Sequence, residues 1–432
     1  MHPIATYYDG FSLEHEFLLE LLGSTRQEWI GKPHNHTAQI DWSHLFAITP
    51  PDIYGYLGYK LTEAGLQSYC PAPLLAETMN ARRATAAQWL RLRFELRHLA
   101  AEFAKHRVDF LLLKGAALAF LAYPDSSLRS VSDLDVLVQS EYLAQALECV
   151  YAAGFHCPER YAHAGGLTES ALPGEEISLP LEKPGTRALI EVHTQLESAQ
   201  PWFPVAISQV WESSQEANLG GLRVRIPNPH EFLFHLILHL ARAHLFSLGL
   251  RPLLDIHLWV EHQGERLDWQ WIASECVRRG YAGWAHLTLR IGCDTFGTRI
   301  PATFFESVAA PAGLDRLMRL ACQQIWADHR VDSLVPPRLV MTISERSAMA
   351  ALSGLLRRAS PTRNRQGSTV PPQRMLESDG WTATLQRMLN EVRLKTPQYI
   401  RAWRNGRMRW SNVQAAARLA RGRTEIQRTL GR

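Results

Sequence analysis

The sequence predicts an α+β protein: a small mixed β-sheet flanked by helices, followed by a mainly helical C-terminal half. Three observations carry this expectation. Residues 107–153 run in the order strand, helix, strand, helix, as short apolar runs alternate with helical periodicity. ALIEVH (188–193) adds a further extended segment. Beyond about residue 228 the apolar spacing is helical throughout, in EFLFHLILHLARAHLF, LLDIHLWVEH and WQWIASECVRRGYAGWAHLTLRIGCDTF.

Taken in order, the N-terminal stretch mixes short apolar-periodic pieces such as FSLEHEFLLELL (11–22) with turn-rich GKPHNHTAQ and ITPPD, which predicts short helices without strands. From about Ala81 to His106, Leu90, Leu92, Phe94, Leu96, Leu99 and Phe103 recur among arginines, the spacing of a long amphipathic helix. DFLLLKG (109–115) reads as a buried strand ending at Gly115, AALAFLAY as a helix stopped by Pro124, and DSSLR as a polar loop. SVSDLDVLV (130–138) is the next strand, and EYLAQALECVYAA (141–153) returns to helical periodicity before Gly154. Residues 156–186, rich in Gly, Pro and Glu, have no clear period, and 330–380 read as a loose connection. The expected organisation is an N-terminal helical region (1–106), an α/β core (107–227), a helical domain packing on that core (228–330), and a connection with a basic helical extension (331–432).

Composition bounds the function classes. With 432 residues, 46% of them hydrophobic, the chain supports real cores, and a net charge of +4 predicts neither nucleic-acid nor membrane binding for the molecule as a whole. From Arg401 onward nine arginines face one acid, Glu425, with Trp403 and Trp410 among them. Such a tail suits an anionic partner such as RNA, or a solvated helix covering the core. Six scattered cysteines form no C-x-x-C pair, which argues against a zinc ribbon or a disulfide framework and fits a reducing compartment. MHPIATYYDG lacks the pattern of a signal peptide, and no apolar run reaches the ~20 residues that span a bilayer. A cytoplasmic location is expected.

The chemistry concentrates in the strand SVSDLDVLV. Alternation sends Asp133 and Asp135 to one face and Leu134, Val136 and Val138 to the other. Alternate Cα atoms are about 6.6–7 Å apart, so both carboxylates can converge on one hard divalent cation. Lys114 and Gly115 stand at a strand-to-helix junction, where free backbone N–H groups and the helix dipole hold phosphates. Glu191, between Ile190 and Val192, supplies a third acid, with His193 two residues on along the same face. Three acids beside a phosphate cradle point to metal-dependent phosphoryl or nucleotidyl transfer. His235 and His239 are four apart with His244 beyond them, a metal-ligand spacing, but the glutamate of H-E-x-x-H is missing and the intervening leucines suit a core helix. That helix, with Arg242, Arg251 and Asp255, is expected to line the pocket for the acceptor or the base.

The segments LLKGAALAFLAYP, R-x-x-S-DLDVLV, IEVH, HLILHLARAH and LRPLLDIHLWV together resemble an uncharacterised bacterial nucleotidyltransferase family of the DNA polymerase β-like superfamily, over roughly residues 40–300. The resemblance implies that Asp133, Asp135 and Glu191 bind Mg²⁺ or Mn²⁺. It implies that Gly115 and Ala116 cradle the phosphates of an NTP, with ATP the expected one, while Lys114 and Arg129 neutralise the leaving group; His193, His239, Arg242 and Asp255 are then candidates for the pocket. The reaction implied is transfer of a nucleoside monophosphate to an acceptor hydroxyl on a small molecule, peptide or protein, with release of pyrophosphate. A degenerate nucleotide-binding or scaffold protein and an RNA 3′-end transferase are the competing expectations. Two features depart from the superfamily signature: Ala116 replaces its second Gly or Ser, and the interval from Ala116 to Asp133 is longer than usual.

Overall fold

Strand order follows from hydrogen bonding as β3-β4-β2-β1-β6-β5, a mixed six-stranded sheet, in a computed structural model that describes residues 2–25, 28, 34–157, 181–186, 188–196, 207–327 and 410–431. The chain divides into two compact units, residues 1–326 with 426–432, and residues 327–425. In the first unit the helices before the sheet are α1 (Leu13–Gly23), α2 (Trp42–Ile48), α3 (Tyr54–Glu63) and α4 (Ala72–His106). The sheet region comprises β1 (Leu111–Leu112), α5 (Lys114–Leu121), β2 (Asp133–Leu137), α6 (Leu143–Ala152), β3 (Leu181–Lys183), β4 (Ala188–His193), α7 (Ile207–Glu212), β5 (Gln215–Leu219) and β6 (Leu222–Ile226). After it come α8 (Pro229–Leu238), α9 (Arg251–Gln263), α10 (Trp269–Arg278), α11 (Ala282–Phe296), α12 (Ala302–Ser307) and α13 (Leu314–Ile325). In the second unit the described structure is essentially one helix, α14 (Trp410–Leu430), whose last residues fall back in the first unit. The expected connection at 330–380, and residues 158–180 of the unpatterned stretch, lie outside the described residues.

The long helix α4 forms as its spacing requires, with a longer N-terminal end than the sequence suggests because Pro73 sits in its first turn, where a missing N–H costs nothing. Trp89, Leu92, Leu96, Leu99 and Phe103 make its buried stripe, at intervals of three and four. Leu90 and Phe94 fall off that stripe and are 68% and 61% exposed, a correction to the amphipathic face read from the sequence. The helix stops at Arg107, which takes a left-handed φ of 57° while its N–H and that of Val108 satisfy carbonyls of the last turn.

β1 is short yet central: it pairs antiparallel with β2 and parallel with β6. β2 then pairs parallel with β4, in the register Asp133 with Leu189, Asp135 with Glu191 and Leu137 with His193. Leu134, Val136, Ile190 and Val192 project to the opposite face and enter a core that runs continuously from Ile4 to Ile325. β5 and β6 form an antiparallel hairpin in a stretch for which the sequence predicts no strand. Gly220 and Gly221 turn it, both at positive φ, which a tight two-residue hairpin loop requires.

One buried ion pair ties the helical half to the sheet. Arg129, which follows the short helical turn Ser126–Leu128, gives Nε and Nη2 to the two carboxylate oxygens of Asp255 on α9, at 2.8 and 2.7 Å. The Tyr123 hydroxyl donates to the same carboxylate at 2.8 Å, and the Trp89 indole N–H donates to the Arg129 carbonyl at 3.2 Å. Gly115 is glycine for a local reason: a Cβ there would collide with the Arg129 guanidinium, which Asp255 holds in place.

Breaking such a pair by removing one partner strands a buried charge. Asp255→Ala is expected to lower unfolding free energy by about 3–5 kcal/mol, measured by urea denaturation, with part of the loss recovered in Arg129→Met/Asp255→Leu. A loss below about 1 kcal/mol, the range of an exposed pair, would show that the tie is not structural.

Candidate active site

β2 and β4 deliver the acids. Because paired residues in parallel strands share a face, the Asp135–Glu191 register sets two carboxylates side by side, with Asp133 and His193 one alternation away in opposite directions. They open onto a cleft of about 460 Å³, closed on the far side by residues of α8, the turn after it and α9.

Asp135 is the most enclosed of the acids, its side chain 5% exposed, and two donors meet one of its oxygens. Lys114 Nζ lies 2.9 Å from Oδ1, and His193 Nε2 lies 3.0 Å from the same atom. His193 Nε2 is also 3.6 Å from Glu191 Oε2. Ligand atoms of Asp135, Glu191 and His193 all fall within 4.8 Å of one another, a spacing that one metal ion can bridge. Two carboxylate oxygens and an imidazole form a donor set that fits a divalent cation such as Mn²⁺ or Mg²⁺. Asp133 stands at the rim of this trio in the same cleft, accepting from the Ser132 hydroxyl at 3.0 Å.

Electrostatics separate the three acids. Burial would raise Asp135, but the Lys114 ammonium and the hydrogen bond from His193 outweigh it and hold the carboxyl far below its ordinary range. Glu191 goes the other way: burial and the neighbouring Asp135 charge raise it, with Asp133 adding to the effect. Asp133 is likewise raised, by burial and then by Asp135. The cleft thus holds one firmly ionised carboxylate and two that give up protons reluctantly until positive charge arrives.

Beside these acids stands the turn from β1 into α5. Leu113 N–H donates to the Asp135 carbonyl at 2.9 Å, which fixes the strand end. Lys114 then adopts a left-handed φ of 41° as the first residue of α5, so its side chain points back over Asp135 and not along the helix. No side chain caps α5, leaving the Gly115 end of the helix facing the cleft. Ala116 is buried and is not among the lining residues.

The opposite wall was only half visible in the sequence. His235 and His239 do lie on one helix, but α8 gives way at His239 to a π-helical turn through Ala243, where the His244 N–H reaches the His239 carbonyl at 3.2 Å. The wider turn stacks the rings of His239 and His244 edge to face at 4.5 Å between centroids, and both line the cleft. Turns of this kind recur at functional sites. Burial, and then the Lys114 charge, lowers the imidazoles of His235, His239 and His244, which favours their neutral forms. Arg129, Asp255 and Arg251 line the cleft with their charges paired, Arg251 to Asp52 at 2.9 Å; Arg242 is not among the lining residues. The His193–Asp135 contact was missed in the sequence as a possible ligand pairing, although the two-residue interval from Glu191 signals a shared face.

Residues 38–297, more than half of the chain, match the family described as an uncharacterised nucleotidyltransferase, and the chain belongs to that family. No curated protein and no solved structure matches it. No described helix is long and apolar enough to cross a membrane.

The raised carboxyls set a pH dependence. A cation held by Glu191 competes with that carboxyl's proton, so binding weakens on the acid side; Asp135, already ionised, adds nothing there. Calorimetry from pH 4 to pH 7.5 should give a dissociation constant for Mn²⁺ that falls as the pH rises, with a limiting slope of about tenfold per pH unit for each proton released. A constant that stays flat over this range would contradict the assignment.

Proposed function

We propose that the cleft transfers a nucleoside monophosphate from a nucleoside triphosphate to the hydroxyl of an acceptor, with release of pyrophosphate. The observation that carries this reading is the in-register pair Asp135 and Glu191, with His193, beside the exposed start of α5 in a single cleft. Family membership supports it. Asp133, Asp135 and Glu191 are the residues that would hold Mg²⁺ or Mn²⁺, with His193 as an additional donor. Such an ion supplies Lewis-acid polarisation of the phosphate and lowers the pKa of the attacking hydroxyl.

The chain's own residues do the remaining work. The backbone N–H of Gly115, at the positive end of the α5 dipole, favours the triphosphate, whereas the buried Ala116 stays outside the cleft lining. Lys114 adds a cation at that same end. Arg129, locked by Asp255, shapes the turn and leaves room for it at Gly115. Leu236, His239, His244 and Leu248 offer the base or the acceptor a surface that mixes apolar side chains with imidazoles. The acceptor oxygen then attacks the α-phosphorus in line as the bond to the bridging oxygen breaks.

Incubation with Mg²⁺ and each labelled triphosphate in turn, ATP first, tests the reading through pyrophosphate release and a label on the acceptor. Asp135→Asn, Asp133→Asn and Glu191→Gln keep side-chain shape, and each is expected to lower turnover by about 10³-fold or more, the several kcal/mol a bound metal supplies. Full turnover in Asp135→Asn would end the proposal.

A further inference from the structure

We propose that Lys114 couples cation loading to triphosphate binding: its ammonium holds the Asp135 oxygen in the cation-free protein and passes to the triphosphate when a divalent ion takes that oxygen. The inference rests on the nucleotidyltransferase reading of the cleft and deepens it to the order and cooperativity of its ligands.

Competition for one atom is the starting point. Lys114 Nζ sits 2.9 Å from Asp135 Oδ1, and Asp135 is one of the three residues whose ligand atoms cluster within 4.8 Å. A Mg²⁺ or Mn²⁺ ion ligated by that oxygen would stand about 2.1 Å from it. Ammonium and ion would then be near neighbours of like charge beside a carboxylate whose side chain is 5% exposed, an arrangement that Coulomb repulsion disfavours. The two occupants exclude each other.

The displaced ammonium has few places to go. Its backbone is fixed at the first residue of α5, in a left-handed conformation, so the charge remains over the start of that helix. There it meets the positive end of the helix dipole. The nearby Arg129 guanidinium and the Asp255 carboxylate are already committed to each other, and Asp133 and Glu191 face the incoming ion. The wall opposite presents imidazoles and apolar side chains, and its Asp255 carboxylate is already paired with Arg129. An anion at the start of α5 resolves this arrangement, and a triphosphate brings one with enough charge to meet both the ammonium and the N–H groups. Metal and nucleotide therefore favour each other's binding, and the cleft resists loading with a bare cation.

The test uses the full chain and measures Mn²⁺ binding by calorimetry, with and without α,β-methylene ATP, for the wild type, Lys114→Met and Lys114→Gln. Glutamine keeps a donor to Asp135 without the charge, so it serves if the methionine variant fails to fold. Both variants are expected to bind Mn²⁺ alone about tenfold more tightly than the wild type and the nucleotide about tenfold more weakly, a coupling of ordinary size. The factor by which nucleotide enhances Mn²⁺ affinity should shrink accordingly. A residue with a merely structural role would weaken both ligands or neither. If the wild type binds Mn²⁺ and the glutamine variant binds it with equal or lower affinity, the coupling role is wrong while the transferase reading stands. If the wild type binds no Mn²⁺ with or without nucleotide, both fall together.

Discussion

A carboxylate withdrawn from water has to be met by positive charge or by donors, and Asp135 imposes that requirement on everything around it. It sits in the centre of a sheet, on a strand whose other face is committed to the main core. Lys114 meets it from the strand end beside it and His193 from the parallel strand on its other side. The left-handed backbone at Lys114 is intelligible in these terms. A non-glycine residue in that region costs about 1–2 kcal/mol, and the charge-assisted bond to Asp135 offsets it.

A second constraint holds the frame in which the first operates. Arg129 and Asp255 are 126 residues apart in the chain and form a bidentate pair in the interior, reinforced by Tyr123. That contact fixes the turn leading into β2 against α9, and it leaves the guanidinium where only a glycine fits at position 115. The start of α5, the acids of β2 and the helical wall are thereby held in one geometry. The cleft carboxylates Asp133 and Glu191 can then stay partly uncompensated without loosening the fold around them.

How far this was legible in the sequence depends on the range of the interaction. Period-two alternation in SDLDVLV and ALIEVH placed Asp133, Asp135 and Glu191 on cleft-facing positions, because side-chain direction in a strand is a local property. The Lys-Gly turn was legible for the same reason. The β5–β6 hairpin carried its signal in LRVRI after two glycines, but arginines at the alternate positions masked the short run. Leu90 and Phe94 misled because helical spacing marks every apolar residue as a candidate for the buried face, whereas only tertiary packing selects the stripe. The pairing of Arg129 with Asp255, the bond from His193 to Asp135 and the π-helical turn that brings His239 to His244 all depend on elements distant in sequence or on a local change of helix type. No spacing rule announces them.

The central claim is that the adjacent strands β2 and β4 gather a divalent cation between Asp135 and Glu191. Its most direct test is the anomalous scattering of crystals soaked in Mn²⁺ with α,β-methylene ATP. The account predicts a peak within coordination distance of both carboxylates, with the Lys114 ammonium moved off Asp135. An empty cleft with the Lys114–Asp135 pair intact, in crystals that bind Mn²⁺ elsewhere or not at all, would contradict it.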